Sequence, residues 1–86
     1  MLNEMCCIYT VYQERSFSKA AAKLHLTQPA LSVIVKKVEN EINYPIFDRS
    51  TMPLTLTPHG KFYIDSIKTI LDIENNMLKY YKDLSD

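Results

Sequence analysis

The sequence is short of the residues that usually punctuate or staple a small domain. It has one glycine (Gly60), two cysteines, no tryptophan and no surplus of either charge, with ten Lys+Arg against ten Asp+Glu in 86 residues. A single glycine excludes the glycine-rich loops that cradle phosphate groups. Cys6 and Cys7 are neighbours, about 100° apart on a helix, so they cannot staple distant segments. No Cys-x-x-Cys or His-x3-His spacing joins them to His25 or His59 in a metal site. Both are expected to be small, buried, reduced thiols in a cytoplasmic protein. No apolar run reaches the ~18 residues of a membrane span, and no basic segment leads into a hydrophobic signal core. Neither histidine has a nucleophile beside it, so no catalytic residue and no metal ligand is assigned. Zero net charge also argues against a nucleic-acid partner, which usually meets a basic excess.

What is present is a helical pattern. At 47% apolar and 23% charged, the chain reads as one small globular domain. Residues 2–14 place Leu2, Met5, Ile8 or Tyr9, and Tyr12 at helical steps. Ser16 and Ser18 offer N-caps for a short second helix from Phe17 to about Leu24, whose Ala20-Ala21-Ala22 run lets another helix approach closely. Thr27 and Pro29 then start a third helix, Gln28 to about Ile42. Its core stripe is Leu31, Val35, Val38 and Ile42, with Ile34 half buried beside it. The opposite pole carries Pro29, Ser32, Val33, Lys36, Asn40 and, to one side, Lys37. Two helices joined by so short a turn form a helix-turn-helix, here without the usual turn glycine. Ile46–Arg49 and Leu54–Leu56 alternate around a Ser/Thr/Pro turn and predict a hairpin, the wing. Thr57-Pro58 repeats the cap signature and opens a fourth helix to about Leu84.

The expected fold is therefore mostly α, a winged helix-turn-helix over residues 1–57 followed by a long linker helix over residues 58–86. That helix carries two apolar stripes. One is Tyr63, Ile70, Ile73, Met77, Tyr80 and Leu84, interrupted by Ser66; the other is Ile67, Leu71, Leu78 and Tyr81. Two stripes over this length predict a partner helix, so Tyr63, Ile67, Ile70, Leu71, Ile73, Met77, Leu78, Tyr81 and Leu84 are the candidate dimerisation residues. Charge is also unevenly spread. Residues 15–37 hold five bases and no acid, residues 1–14 two acids, and residues 38–86 five bases and eight acids. A net charge of zero is thus an average over unlike surfaces, and it no longer excludes DNA.

Four segments resemble the LysR-type transcriptional regulators: Ser16 to Ser32, Val38 to Ile42, Ile46 to Arg49, and Leu56 to Gly60. The likeness extends over about residues 2–84. It implies the DNA-binding domain of a longer regulator, whose linker helix pairs two subunits and whose further C-terminal domain binds a small-molecule effector. On that implication this chain carries no cofactor and ends within the linker helix, as an excised domain or a short relative.

A recognition helix meets the major groove with its N-terminal residues. The candidate contacts are Thr27, Gln28, Pro29, Ser32, Val33, Lys36 and Lys37 there, Ser16, Ser18 and Lys19 at the start of the second helix, and Arg49 in the wing. Gln28 suits adenine edges and Ser32 a base or phosphate. Val33, where relatives often carry polar residues, either meets a thymine methyl or is a tolerated exposed valine. His25 is expected to pack or to lie near phosphate, and His59 to be exposed at a helix start. Glu39, Glu41, Asp72 and Glu74 are expected on solvated faces, and Tyr44 within reach of phosphate. The partners expected are double-stranded DNA and a second copy of the chain. The residues also fit a dimerisation module with weak DNA binding, which equal affinity for operator-like and random duplexes would favour. Between Ser50 and Leu56 the wing has no cation. Titrations across a salt series should therefore give a modest dependence, because each missing phosphate contact removes about 0.9 from the logarithmic slope. A slope near about −10 would contradict this.

Overall fold

Caps at three helix starts and left-handed residues at three helix ends set the element boundaries. The computed structural model describes residues 2–86 apart from the side chain of Leu2, so the expected place of Leu2 on an apolar face lies outside the described residues. The order is α1 (Leu2–Glu14), α2 (Phe17–Lys23), α3 (Gln28–Ile42), β1 (Phe47–Asp48), β2 (Thr55–Leu56) and α4 (Pro58–Ser85). Ser16 caps α2 by accepting from the Lys19 N–H at 3.2 Å, and Thr27 caps α3 from Ala30 at 3.2 Å. Thr57 caps α4 from Gly60 at 2.9 Å. Ser18 does not share the cap; its hydroxyl lies 3.1 Å from that of Ser16.

Helix ends usually close on a glycine with positive φ. Here Arg15, His25 and Asn43 take that conformation, at φ 53, 57 and 66. Asparagine visits it readily; arginine and histidine do so against steric cost. After α2, the Leu26 N–H reaches the Ala21 carbonyl at 2.9 Å and the His25 N–H the Ala22 carbonyl at 3.2 Å. That pair of bonds satisfies the last carbonyls of the helix. His25 is therefore an exposed turn residue, which corrects the packing alternative expected for it and leaves the phosphate-side one.

The one glycine serves a different purpose. Gly60 has no positive φ, but a Cβ built on it would stand 1.8 Å from the Ile46 carbonyl oxygen. That carbonyl accepts from the Thr57 N–H at 3.0 Å, while the Thr57 hydroxyl donates to the Pro45 carbonyl at 2.6 Å. The first turn of α4 is thus pressed against the entry to the wing. The hairpin pairs antiparallel, Phe47 with Leu56 and Asp48 with Thr55. Leu54 ties its far side to the α1–α2 corner through the Arg15 carbonyl at 3.2 Å.

Every element contributes to one core: Ile8 and Val11 from α1, Ala20 and Ala21 from α2, Leu31, Val35 and Val38 from α3, Ile46, Phe47 and Leu54 from the wing, and Ile64 and Ile67 from α4. The winged helix-turn-helix fold is the one expected, with three corrections to its faces. On α1 the fully buried pair is Ile8 and Val11, with Met5, Tyr9 and Tyr12 flanking it. Ile42, placed in the core stripe of α3, is 36% exposed because the helix has run past the core by its last turn. Ile67, placed in the dimerisation set, is 1% exposed. With Gly60 and Ile64 it forms the line by which α4 faces its own domain, at spacings of four and three. The cysteines also differ from expectation, Cys6 being exposed and Cys7 only half buried. Burial, with lesser help from Cys6 and Glu4, raises the Cys7 thiol pKa.

From Asn75 onward every residue of α4 is exposed among the described residues, and the molecule is drawn out to 48 × 26 × 22 Å. Among the described residues no helix is long and apolar enough to cross a membrane, and no group of three or more potential metal ligands occurs.

Gly60→Ala should force the α4 start off the wing, costing at least about 2 kcal/mol as other overpacked sites do. For a domain this size that lowers the thermal midpoint by roughly 8–16 °C. A midpoint within a couple of degrees of the parent would show that the approach is not required.

Candidate nucleic-acid interface

The outward face of α3 and the wing's Arg49 meet on one side of the molecule. Thr27 and Pro29 fix the first turn of α3, leaving Gln28, Pro29, Val33 and Lys36 exposed and Ser32 half buried. Val33 is 68% exposed, whereas Ile34 beside it is half buried and Leu31 and Val35 are in the core. Ser32, Val33, Lys36, Lys37 and Asn40 line a shallow concavity with Glu41 and with Arg49 from the wing. Of the sequence candidates, Ser32, Val33, Lys36, Lys37 and Arg49 are therefore brought together, whereas Thr27, Gln28 and Pro29 are exposed at the start of α3 outside the concavity. Ser16, Ser18 and Lys19 stand separately at the α2 start, where the Ser16 oxygen is occupied by its cap and Ser18 and Lys19 are exposed.

Ion pairs redistribute the cations. Lys37 Nζ lies 3.1 Å from Glu4 on α1, and that hydrogen bond, with the Glu4 and Glu41 charges, raises the lysine pKa. Lys23 is 3.5 Å from Glu14, also on α1. The two acids of α1 thus offset two of the five bases of residues 15–37, while Arg15, Lys19 and Lys36 form no ion pair among the described residues. Such exposed pairs are weak and yield to a competing anion.

Arg49 is held differently. Its Nη2 is 3.5 Å from Glu39 Oε1, and its guanidinium carbon sits 4.7 Å from the centre of the Phe17 ring. The other Glu39 oxygen accepts the Ile46 N–H at 2.7 Å. Glu39 is thus not a solvated acid: its side chain is 10% exposed, against 48% for Arg49. The sequence carried one signal for this. Glu39 follows core residue Val38 by 100° of helix, at the edge of the buried face, and the wing's one cation lies ten residues on. In the turn, Asp48 accepts from the Ser50 hydroxyl and from its N–H at 2.9 Å, and both bonds lower the carboxyl pKa.

On another side lies an open apolar groove, lined by Met5, Ile42, Phe62, Tyr63 and Ile70 among others. Tyr44 stacks on His59 at its rim, ring centres 3.9 Å apart, so Tyr44 is engaged there. Tyr63 is half buried, which raises its phenol pKa, with smaller contributions from Glu4 and Glu41. Phe62, which the sequence reading passed over, is 77% exposed.

Comparison with known proteins places this arrangement. A regulator from Bacillus subtilis strain 168, described as the uncharacterized HTH-type transcriptional regulator YcgK, is 37% identical over 75 residues, 87% of this chain and 23% of that protein. The chain spans about a quarter of the length of the curated relatives it matches (23%, 27% and 23%). The DNA-binding domain of BenM, solved with benA site 1 DNA, superposes with a TM-score of 0.92 at 29% identity, covering 100% of this chain and 97% of that one. Vibrio fischeri DarR, solved in complex with DNA, gives 0.87 at 26% identity over 99% of this chain and 29% of its own. The family model described as bacterial regulatory helix-turn-helix protein, lysR family, matches residues 2–61, and the chain belongs to that family.

Proposed function

We propose that the chain is a sequence-specific double-stranded DNA-binding domain acting in transcriptional regulation, with α3 as the recognition helix in the major groove. The observation that carries this is the convergence of Ser32, Val33, Lys36 and the wing's Arg49 on one concavity beside the exposed first turn of α3. A helix presented in this way fits the groove, and its early residues reach base edges. No cofactor is assigned to this chain; an effector belongs to a further domain of the longer regulators that the family resemblance implies.

The functional unit is a homodimer joined through α4. Support comes from Ile73, Met77, Leu78, Tyr81 and Leu84, all exposed on the half of α4 that its own domain leaves uncovered. At about 1.5 Å per residue that half is roughly 20 Å long. In a two-fold pair with antiparallel helices, each overhanging half lies along the Phe62–Ile70 side of the other copy and its apolar groove. Tyr63 and Ile70 line that groove, with the buried Ile67 at its floor, while Leu71 lies to another side beside Tyr9 of α1. Two recognition helices held in this way read half-sites about one helical turn, 34–36 Å, apart.

Selection of duplexes from a random pool by the purified protein tests this. The expected product is an inverted repeat bound in preference to scrambled DNA, by a species of twice the 10.0 kDa chain mass. Leu78→Glu with Met77→Glu should give a folded monomer that has lost at least about tenfold in affinity. Unchanged dimer mass would reject α4 as the joint, and equal binding of all duplexes would reject the function.

Val33 is the apolar point of the interface, and the thymine methyl is the apolar point of the major groove. Burying one methyl is worth about 0.8 kcal/mol, about fourfold in affinity. Replacing one thymine of the selected site with deoxyuridine, which deletes only that methyl, should cost the parent protein about fourfold and Val33→Ala nothing. Uniform tolerance of deoxyuridine by the parent would leave Val33 without this role.

A further inference from the structure

We propose that Glu39 is a positioning residue for DNA binding: its carboxylate, with the Phe17 ring, aims the Arg49 guanidinium at a DNA phosphate beside the recognition helix. This rests on the DNA-binding reading and adds to it how the wing's cation is oriented.

An arginine on a two-stranded wing would ordinarily sweep a wide volume. Here one guanidinium nitrogen is paired with Glu39 Oε1 at 3.5 Å and the guanidinium carbon lies over the Phe17 ring, 4.7 Å from its centroid. These two anchors restrain the fork, which has five N–H donors in rigid geometry. Arg49 stays 48% exposed and borders the concavity of Ser32, Val33, Lys36 and Asn40. Its remaining donors can meet a phosphate there without first losing rotational freedom.

The charge on Glu39 has no need to exist for the fold alone. A neutral glutamine oxygen would accept the Ile46 N–H equally well, and the hairpin is secured independently at Thr57 and Leu54. A carboxylate near the DNA face also repels phosphate. Its presence, nearly buried between α3 and the wing, is explained by the cation it holds. Phe17 in turn begins α2 and packs edge-on against Phe47 of β1, ring centres 5.9 Å apart. One guanidinium therefore joins the starts of α2, the body of α3 and the wing.

The two effects of Glu39 on DNA have opposite signs, and this makes the proposal testable. Removing its charge lowers repulsion from any duplex but releases Arg49. The full chain and its Glu39→Gln, Arg49→Lys, Phe17→Leu and Glu39→Gln/Arg49→Lys variants are titrated against the selected inverted repeat and a scrambled duplex over a salt series. Glu39→Gln should melt as the parent does and bind scrambled DNA as well or better. Its preference for the inverted repeat should fall by about fivefold or more, as expected for a charged hydrogen bond loosened. Its salt slope on that site should flatten by about 0.9 per lost phosphate contact. Arg49→Lys should show the same loss of preference, and the double variant no more than either single change. Phe17→Leu, which alters no charge, should lower preference with scrambled binding unchanged; it carries the test should Glu39→Gln melt early. Parental preference and slope in Glu39→Gln, or in Phe17→Leu where that variant carries the test, overturns the proposal, as do fully additive losses in the double variant. A parent protein that does not prefer the inverted repeat overturns the DNA-binding reading itself.

Discussion

The carbonyl of Ile46 is where the molecule is pinned together. It receives the Thr57 N–H at 3.0 Å and faces the bare Cα of Gly60, where a Cβ would stand 1.8 Å away. The preceding carbonyl, of Pro45, takes the Thr57 hydroxyl, and the Ile46 N–H goes to Glu39 on α3. Within two residues the chain thus binds the recognition helix, the wing and the start of α4. The short strands add only the pairings of Phe47 with Leu56 and Asp48 with Thr55, too few to hold a hairpin alone. The wing's orientation comes from this junction.

Much of the fold is legible because its signals are local. Ser16, Thr27 and Thr57 announce helix starts through side chains that cap amides three residues on. Leu31, Val35 and Val38 declare a buried face by spacing alone. What escapes the sequence depends on partners distant along the chain. Whether Ile67 faces its own core or a second copy cannot be settled by periodicity, since both stripes of α4 have equal claim; the close approach at Gly60 decides it by fixing the helix's rotation. Ile42 fails for a related reason: period says which way it points, but not that the core ends a turn earlier.

The interface divides in the same way. Exposure of Gln28, Val33 and Lys36 follows from helix geometry, and the sequence gives their order on the surface. The electrostatics does not. Counting charge by segment finds a basic helix-turn-helix, but Glu4 and Glu14 fold back onto Lys37 and Lys23, and Glu39 onto Arg49. The surface is therefore less basic than the segment sum. Lys19 on α2 and Lys36 on α3 form no ion pair among the described residues.

Arg15 and His25, the two left-handed residues that carry a steric cost, stand just before and just after α2. Each conformation opposes the chain's local preference by on the order of 1 kcal/mol. A seven-residue helix is too short to persist alone in water. Its buried side chains are two alanines, Ala20 and Ala21, which add little apolar area of their own. α1, α3 and the wing supply most of the large core residues, and their contacts hold α2 between its two bent corners. The helix that offers its N-terminus beside the recognition helix is in this sense shaped by its neighbours more than by its own sequence.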